Sequence, residues 1–196
     1  MDSKRQQLYF VAAVLTATLA GGAYLAYRGR LPSPAAVATH TEAWPSGPRT
    51  TAALMQERYG VPNVLSPGSA TWYERGPWKR IVIRGEVPEN YLEQAVSYRV
   101  PYLAVIPLFE FGHGVRADSA NNELSIASGS EALNLLALNL ADEIASGKTT
   151  ANEARDVYAR TARPLDTGKS SPYTEALQFT PHKTLPEDSW RRVIGY

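Results

Sequence analysis

A histidine between two glycines, Gly112-His113-Gly114, is the group whose setting most suits chemistry. Flanking glycines would expose the imidazole as a base or a metal ligand. A metal site needs several ligands, however. His40 and His182 fall in distant stretches and the chain has no cysteine, so a structural histidine is the expectation. Asp142 and Glu143 are adjacent, which splays their carboxylates about 100° apart on a helix and spoils them as an acid–base pair. Ser130 stands where a helix should begin, and capping explains it better than nucleophilic attack. No nucleophile elbow, phosphate-binding glycine loop, zinc helix or haem-attachment motif occurs. Without cysteine there is also no iron–sulfur ligand set, redox pair or lipidation site. The sequence therefore predicts a protein that is not an enzyme, with no cofactor and no bound metal.

The second candidate site is Trp78-Lys79-Arg80, where two cations beside an indole would suit an anionic headgroup or a partner carboxylate. Strand alternation would put one cation on each face of a hairpin, which makes solvated edge residues the plainer expectation.

These residues must be positioned by a modest α+β domain. The stretch 51–59, stopped by Gly60 and Pro62, predicts a short helix with Ala53, Leu54 and Tyr59 inward. Residues 70–75 and 78–84 flank Gly76-Pro77 and are rich in aromatic and β-branched types, a hairpin signal. A third strand is expected over 91–100, ended by Pro101. The apolar stretch 102–111, interrupted by Pro107, reads as a crossover packed on the core. Residues 115–118 and 123–127 predict a second hairpin around Ser119-Ala120-Asn121-Asn122. A capping box of Ser128 and Glu131 opens a helix running to about 146, with Gly147 as its left-handed stop. Thr150 and Glu153 open a second helix that ends before Pro164. That first helix is apolar on more than one side, through Leu135 and Leu138 as well as Leu133, Leu136, Leu140 and Ile144, so a further layer must cover it. Asp142 and Asn139 are expected to make polar helix contacts.

Two proline-rich flanks bound this domain, which is expected over 51–163. Residues 31–50 carry four prolines and read as a linker or extended strap, with Trp44 resting on the domain or on a neighbour. Residues 164–196 read as an extended tail. The tail carries Tyr173, Phe179, Trp190 and Tyr196, types that dominate binding surfaces, so contact with a partner is expected there.

Residues 8–27 (LYFVAAVLTATLAGGAYLAY) hold no charge and no proline. As a helix they span about 30 Å, the thickness of a bilayer core. Lys4, Arg5, Arg28 and Arg30 flank the run, with tyrosines near both ends. A retained single-pass transmembrane helix over 1–30 is the expectation, since the run is longer than a signal-peptide core. The flanking cations tie, and the seven-residue amino tail favours amino end in. That places the bulk of the chain in the periplasm, at the bacterial inner membrane. Ala13, Ala17 and Gly21 recur every four residues and would let another helix approach closely.

The chain of 196 residues has a net charge of +1. Removing Lys4, Arg5, Arg28, Arg30 and Asp2 leaves sixteen basic against eighteen acidic residues, a balance that excludes a nucleic-acid binder.

Several stretches resemble a family of exported bacterial proteins with no assigned activity. The matching residues are Gln56-Glu57-Arg58-Tyr59-Gly60 with Pro62, Gly76-Pro77-Trp78-Lys79-Arg80, Leu92-Glu93-Gln94 and Tyr98-Arg99-Val100-Pro101. The longest match is Leu136-Ala137-Leu138-Asn139-Leu140-Ala141-Asp142-Glu143-Ile144, continued by Gly147-Lys148 and Glu153-Ala154-Arg155. The resemblance covers about 54–162 and implies one coherent domain but no site. The order of helix, Gly-x-Pro and Trp-rich hairpin is also similar to small outer-membrane assembly lipoproteins, from which this chain departs by lacking the lipidated cysteine.

Together these features predict a non-enzymatic accessory subunit of an inner-membrane protein complex. Its partners would be integral-membrane subunits and the bilayer. Respiratory or photosynthetic assemblies are one class of host, though no residue selects them. The alternative is an anchored envelope domain that binds a peptide, lipid or cell-wall ligand through Trp78, Lys79 and Arg80 or through 102–111.

Overall fold

Prolines start helices here rather than keep the chain extended. The computed structural model describes residues 31–163, 165, 168 and 170–181. Within 31–50, expected as a linker, helix α1 spans Pro34–Thr41 and helix α2 spans Ser46–Tyr59. Pro34 occupies the first helical position, where a missing N–H costs nothing, and the Ser33 hydroxyl accepts from the Ala36 N–H at 3.1 Å. Because α2 begins at Ser46, Pro48, Thr51, Ala52 and Met55 set its buried face. Leu54, expected inward, is about half exposed, and Ala53 is exposed as well. Trp44, between the two helices, is buried over Gly85. A Cβ on Gly85 would lie 2.2 Å from the indole, so only glycine lets the ring seat there.

The sheet has six antiparallel strands: β1 (Val64–Ser66), β2 (Ser69–Arg75), β3 (Trp78–Arg84), β4 (Leu92–Ser97), β5 (Arg116–Asp118) and β6 (Glu123–Ser128). Their spatial order is β1-β2-β3-β4-β6-β5. Both expected hairpins are present, with Trp72 opposite Ile81 in one and Ala117 opposite Leu124 in the other. Register places Trp72, Ile81, Gln94 and Ile126 in one row across the sheet. On that side Trp72, Ile81, Ile83, Leu124, Leu136 and Leu140 fill the core.

Residues 102–111 cross from β4 to β5, as expected, and do so in helical form. A 3₁₀ turn (Tyr102–Ala104) leads directly into helix α3 (Val105–Phe111). Pro107 falls in the first turn of α3, where proline is tolerated.

Helix α4 (Glu131–Ala145) lies against β6, and helix α5 (Ala151–Ala162) returns beside it. The α4 start differs from the expected capping box. Ser130 is the cap, its hydroxyl accepting from the Leu133 N–H at 3.2 Å, while the Ser128 hydroxyl binds the Ser130 backbone. Gly147 ends α4 as expected, with φ +73. Lys148 N–H reaches the Glu143 carbonyl at 2.8 Å and Gly147 N–H the Ile144 carbonyl at 3.0 Å, a Schellman closure. Thr150 and Glu153 form the reciprocal box that opens α5.

The second apolar side of α4 is covered by part of the expected tail. Residues 170–181 include the short helix α6 (Pro172–Glu175), packed on α4. The described chain is thus a mixed α+β domain with helices on one face of its sheet. No helix among the described residues is long and apolar enough to cross a membrane. The apolar run 8–27, with Ala13, Ala17 and Gly21, lies outside the described residues, as do Trp190 and Tyr196.

Candidate functional site

Trp78, Lys79 and Arg80 do not form one site. Between the paired rows Tyr73–Arg80 and Arg75–Trp78, Glu74 takes φ +50, and strand alternation breaks there. Trp78 consequently turns to the helix side and is almost fully buried. Its indole N–H is shared between the Tyr59 hydroxyl and Glu131 Oε1, both at 3.0 Å. Lys79 and Arg80 instead converge on Glu123, at 3.2 and 2.8 Å. An indole flanked by two available cations, the arrangement suited to an anion, is absent.

Glu131 is the polar hub of the interior. Tyr59 donates to its Oε1 at 2.6 Å and Gln94 Nε2 at 2.9 Å, while Arg58 pairs with Oε2. Asn134 extends the chain of bonds, donating to Gln94 Oε1 at 2.9 Å and the Leu92 carbonyl at 3.1 Å. Burial, together with the bond to Glu131, pushes the Tyr59 hydroxyl up to about 12. Oε1 accepts from three donors and Oε2 from Arg58, and the donors come from α2, β3 and β4. Such an arrangement locks helices to the sheet rather than presenting an acid or base to solvent.

The sheet face away from the helices carries a second charged cluster. Arg80 binds Glu93 at 2.9 Å as well as Glu123, and Arg84 binds Glu93 at 2.8 Å. Burial alone would raise the Glu93 pKa, but the hydrogen bonds and charges of Arg84 and Arg80 bring it below the ordinary value. Ala95 and Ser125 lie buried beneath these side chains. Cross-strand pairs of this kind knit the sheet together.

His113 sits in a glycine-flanked turn against two aromatic rings. Gly112, His113 and Gly114 all have positive φ, at 72°, 49° and 79°. The turn stacks the imidazole on Tyr158 at 3.9 Å and beside Phe111 at 5.0 Å. No group of three or more potential metal ligands is present among the described residues. Burial, then the Arg155 charge, lowers the His113 pKa. The neutral ring is therefore favoured in the fold, and its contribution to stability is lost as pH falls below the ordinary value of about 6.5. Comparing urea unfolding between pH 7.5 and 5, His113→Asn is expected to flatten the loss of stability on acidification. Asparagine tolerates the positive φ. An unchanged slope would remove His113 as a contributor.

Asp142 and Asn139 do not bind one another. Asp142 accepts from the Tyr98 hydroxyl at 2.9 Å, and burial followed by that bond raises the Tyr98 pKa. Asn139 holds the segment 170–181 through the Tyr173 carbonyl, the Ala176 carbonyl and the Gln178 N–H, at 3.0, 2.9 and 2.7 Å. Tyr173 donates to Glu143, and Phe179 packs edge-on against Tyr98 at 5.5 Å. These two aromatics, expected to meet a partner, are engaged within the chain.

The largest departure from an ordinary surface is on the 3₁₀ turn and α3. Ala104, Leu108 and Phe111 are buried, yet Tyr102 is 89% exposed, Leu103 85%, Ile106 69%, Phe109 85% and Val105 39%. Both sides of this short element are apolar, and only one is covered. Beside it a groove of about 730 Å³ runs between Leu103, Pro107 and the α4–α5 turn at Lys148. Such an exposed apolar cluster is a candidate contact surface. The sequence reads 102–111 as packed on the core or, in the alternative, as a ligand site, because apolar content alone does not show which face is left over. The chain matches no family model, no curated protein and no solved structure, so the arrangement of its own side chains carries the functional reading.

Proposed function

We propose that this chain is a non-enzymatic accessory subunit of a protein complex in the bacterial inner membrane. Its described domain lies on the periplasmic side, and the apolar run 8–27 tethers it there. The observation that carries this reading is the uncovered face of Tyr102, Leu103, Ile106 and Phe109. A domain that held such a face in water would be prone to associate, whereas one beside a membrane assembly has an apolar neighbour. The ionic clusters support the same view, since Glu131, Glu93 and Glu123 are taken up in bonds that hold the fold.

The test is gentle solubilisation of native membranes followed by native electrophoresis. The full-length protein should migrate with a large assembly. Each side chain that loses its apolar contact forfeits about 1.5–3 kcal/mol. The Ile106→Asp/Phe109→Asp double variant tests the face itself: a co-migrating fraction at least about tenfold lower would mean that a protein subunit covers it, and an unchanged fraction that the bilayer does. Both side chains are exposed, so the fold should persist, as an unchanged circular dichroism melt would show. Migration of the parent protein as a lone chain in several mild detergents would overturn the proposal.

A further inference from the structure

We infer that the face formed by Tyr102, Leu103, Ile106 and Phe109 is covered by the lipid of the bilayer into which the run 8–27 passes. The inference rests on the tethering just proposed and names what meets that face.

The uncharged run ends at Tyr27 and α1 begins at Pro34. Residues 28–33 at about 3.5 Å each extend no further than about 21 Å. A domain of this size has a radius of gyration of about 15 Å, so the tether holds it against the membrane surface. Surface chemistry then decides which side faces the lipid.

Exposures of 89% at Tyr102 and 85% at Phe109 describe side chains standing outward, while Leu103, 85% exposed, forms the rim of the groove toward Lys148. A fluid bilayer closes around such a knob, whereas a protein partner would need a recess of matching form. Residues 100–109 contain no charged side chain, while Arg99 and Glu110 bracket them. Pro101 and Pro107 bring no backbone N–H, and the intervening chain is helical. Few backbone donors would therefore be stranded by shallow insertion. Tyr102 adds the amphipathic ring favoured at the interface.

The tether enters at α1, whose His40 ring bonds the Ser66 carbonyl on β1. The apolar face belongs to α3, which packs beside β5. β1 and β5 are the two outer strands of the sheet, about 24 Å apart at the usual strand spacing. Contact at both ends lays the sheet across the membrane, with its strand-stacking direction parallel to the bilayer plane.

The chain has no cysteine, which permits single-site labelling. Leu103→Cys, Phe109→Cys and Tyr73→Cys variants of the full chain would each carry an environment-sensitive dye. Tyr73, on β2, is exposed and lies away from α3. The proteins would be placed in nanodiscs of phosphatidylcholine and phosphatidylglycerol, with and without nitroxide-labelled acyl chains. Dyes at positions 103 and 109 should shift to the blue and be quenched several-fold more than the dye at 73. Equal quenching at the three positions, or none at 103 and 109, would overturn the inference. The outcome separates from that of the proposed function. Unquenched dyes with co-migration in native membranes would mean that a protein subunit covers the face, and the lipid assignment falls alone. Quenched dyes on a chain that migrates by itself would leave the lipid contact standing without the accessory role.

Discussion

Glu131→Ala is expected to destabilise the domain by about 3–5 kcal/mol, measured by urea unfolding at neutral pH. Alanine would leave the Trp78 indole N–H, the Tyr59 hydroxyl and the Gln94 amide without their shared acceptor. Each stranded donor costs about 1–3 kcal/mol when buried. The charge partner is a smaller part of the loss, because the Arg58 side chain is 61% exposed and its pair with Glu131 is screened by water. Glu131→Gln separates the two effects. It keeps an acceptor oxygen for Tyr59, Trp78 and Gln94 and gives up the charge and the Oε2 acceptor of Arg58, so it should cost clearly less than alanine. If Glu131→Ala unfolded within about 1 kcal/mol of the parent, the hub would not be what holds α2 and α4 to the sheet.

How this hub arises shows what the sequence reveals and what it hides. Glu131 stands three residues after Ser128, the spacing of a capping box, and local pattern assigns it to the helix end. The fold gives the cap to Ser130 and turns the Glu131 carboxylate inward, toward donors 37 to 73 residues away in sequence. No local pattern carries that separation. The two hairpins were legible because Gly76-Pro77 and Asn121-Asn122 sit between runs of strand formers. The α4–α5 turn was legible because Gly147 and the Thr150–Glu153 box are chemistry within a few residues. In 31–50 the four prolines suggested an extended strap, yet Pro34 and Pro48 fall in first turns, where proline fits a helix. Proline content alone does not distinguish these two uses. The contact face was half legible. Apolar residues at 102–111 were plain, but their split into a buried row and an exposed row depends on how α3 is rotated against α4 and β5. The tail divided the same way: Tyr173 and Phe179 are taken up by α4 and Tyr98, an outcome set by tertiary packing that aromatic content could not foretell.

Asn139→Ala should release the segment 170–181 from α4 with little effect on the sheet. One side chain satisfies three backbone groups of that segment, and the Asn139 residue is itself buried. Alanine returns the Tyr173 and Ala176 carbonyls and the Gln178 N–H to water, and it leaves a hole where the amide stood. The expected cost is about 2–4 kcal/mol, confined to opening of this segment. Limited chymotrypsin digestion should then cut after Tyr173 or Phe179 at least tenfold faster than in the parent, in line with about 1.4 kcal/mol per decade. The thermal melt of the remaining domain should move less, since α4 stays bonded to the sheet through Glu131 and Asn134, which bind Gln94 and the Leu92 carbonyl. Release would also uncover Leu135, which lines a cleft with Ala176, Leu177 and Phe179 and is part of the second apolar side that the sequence said must be covered. Increased dye binding to exposed apolar surface should therefore accompany the faster cleavage. Slow cleavage with unchanged dye binding would show that Tyr173 on Glu143 and Phe179 on Tyr98 hold the segment without Asn139.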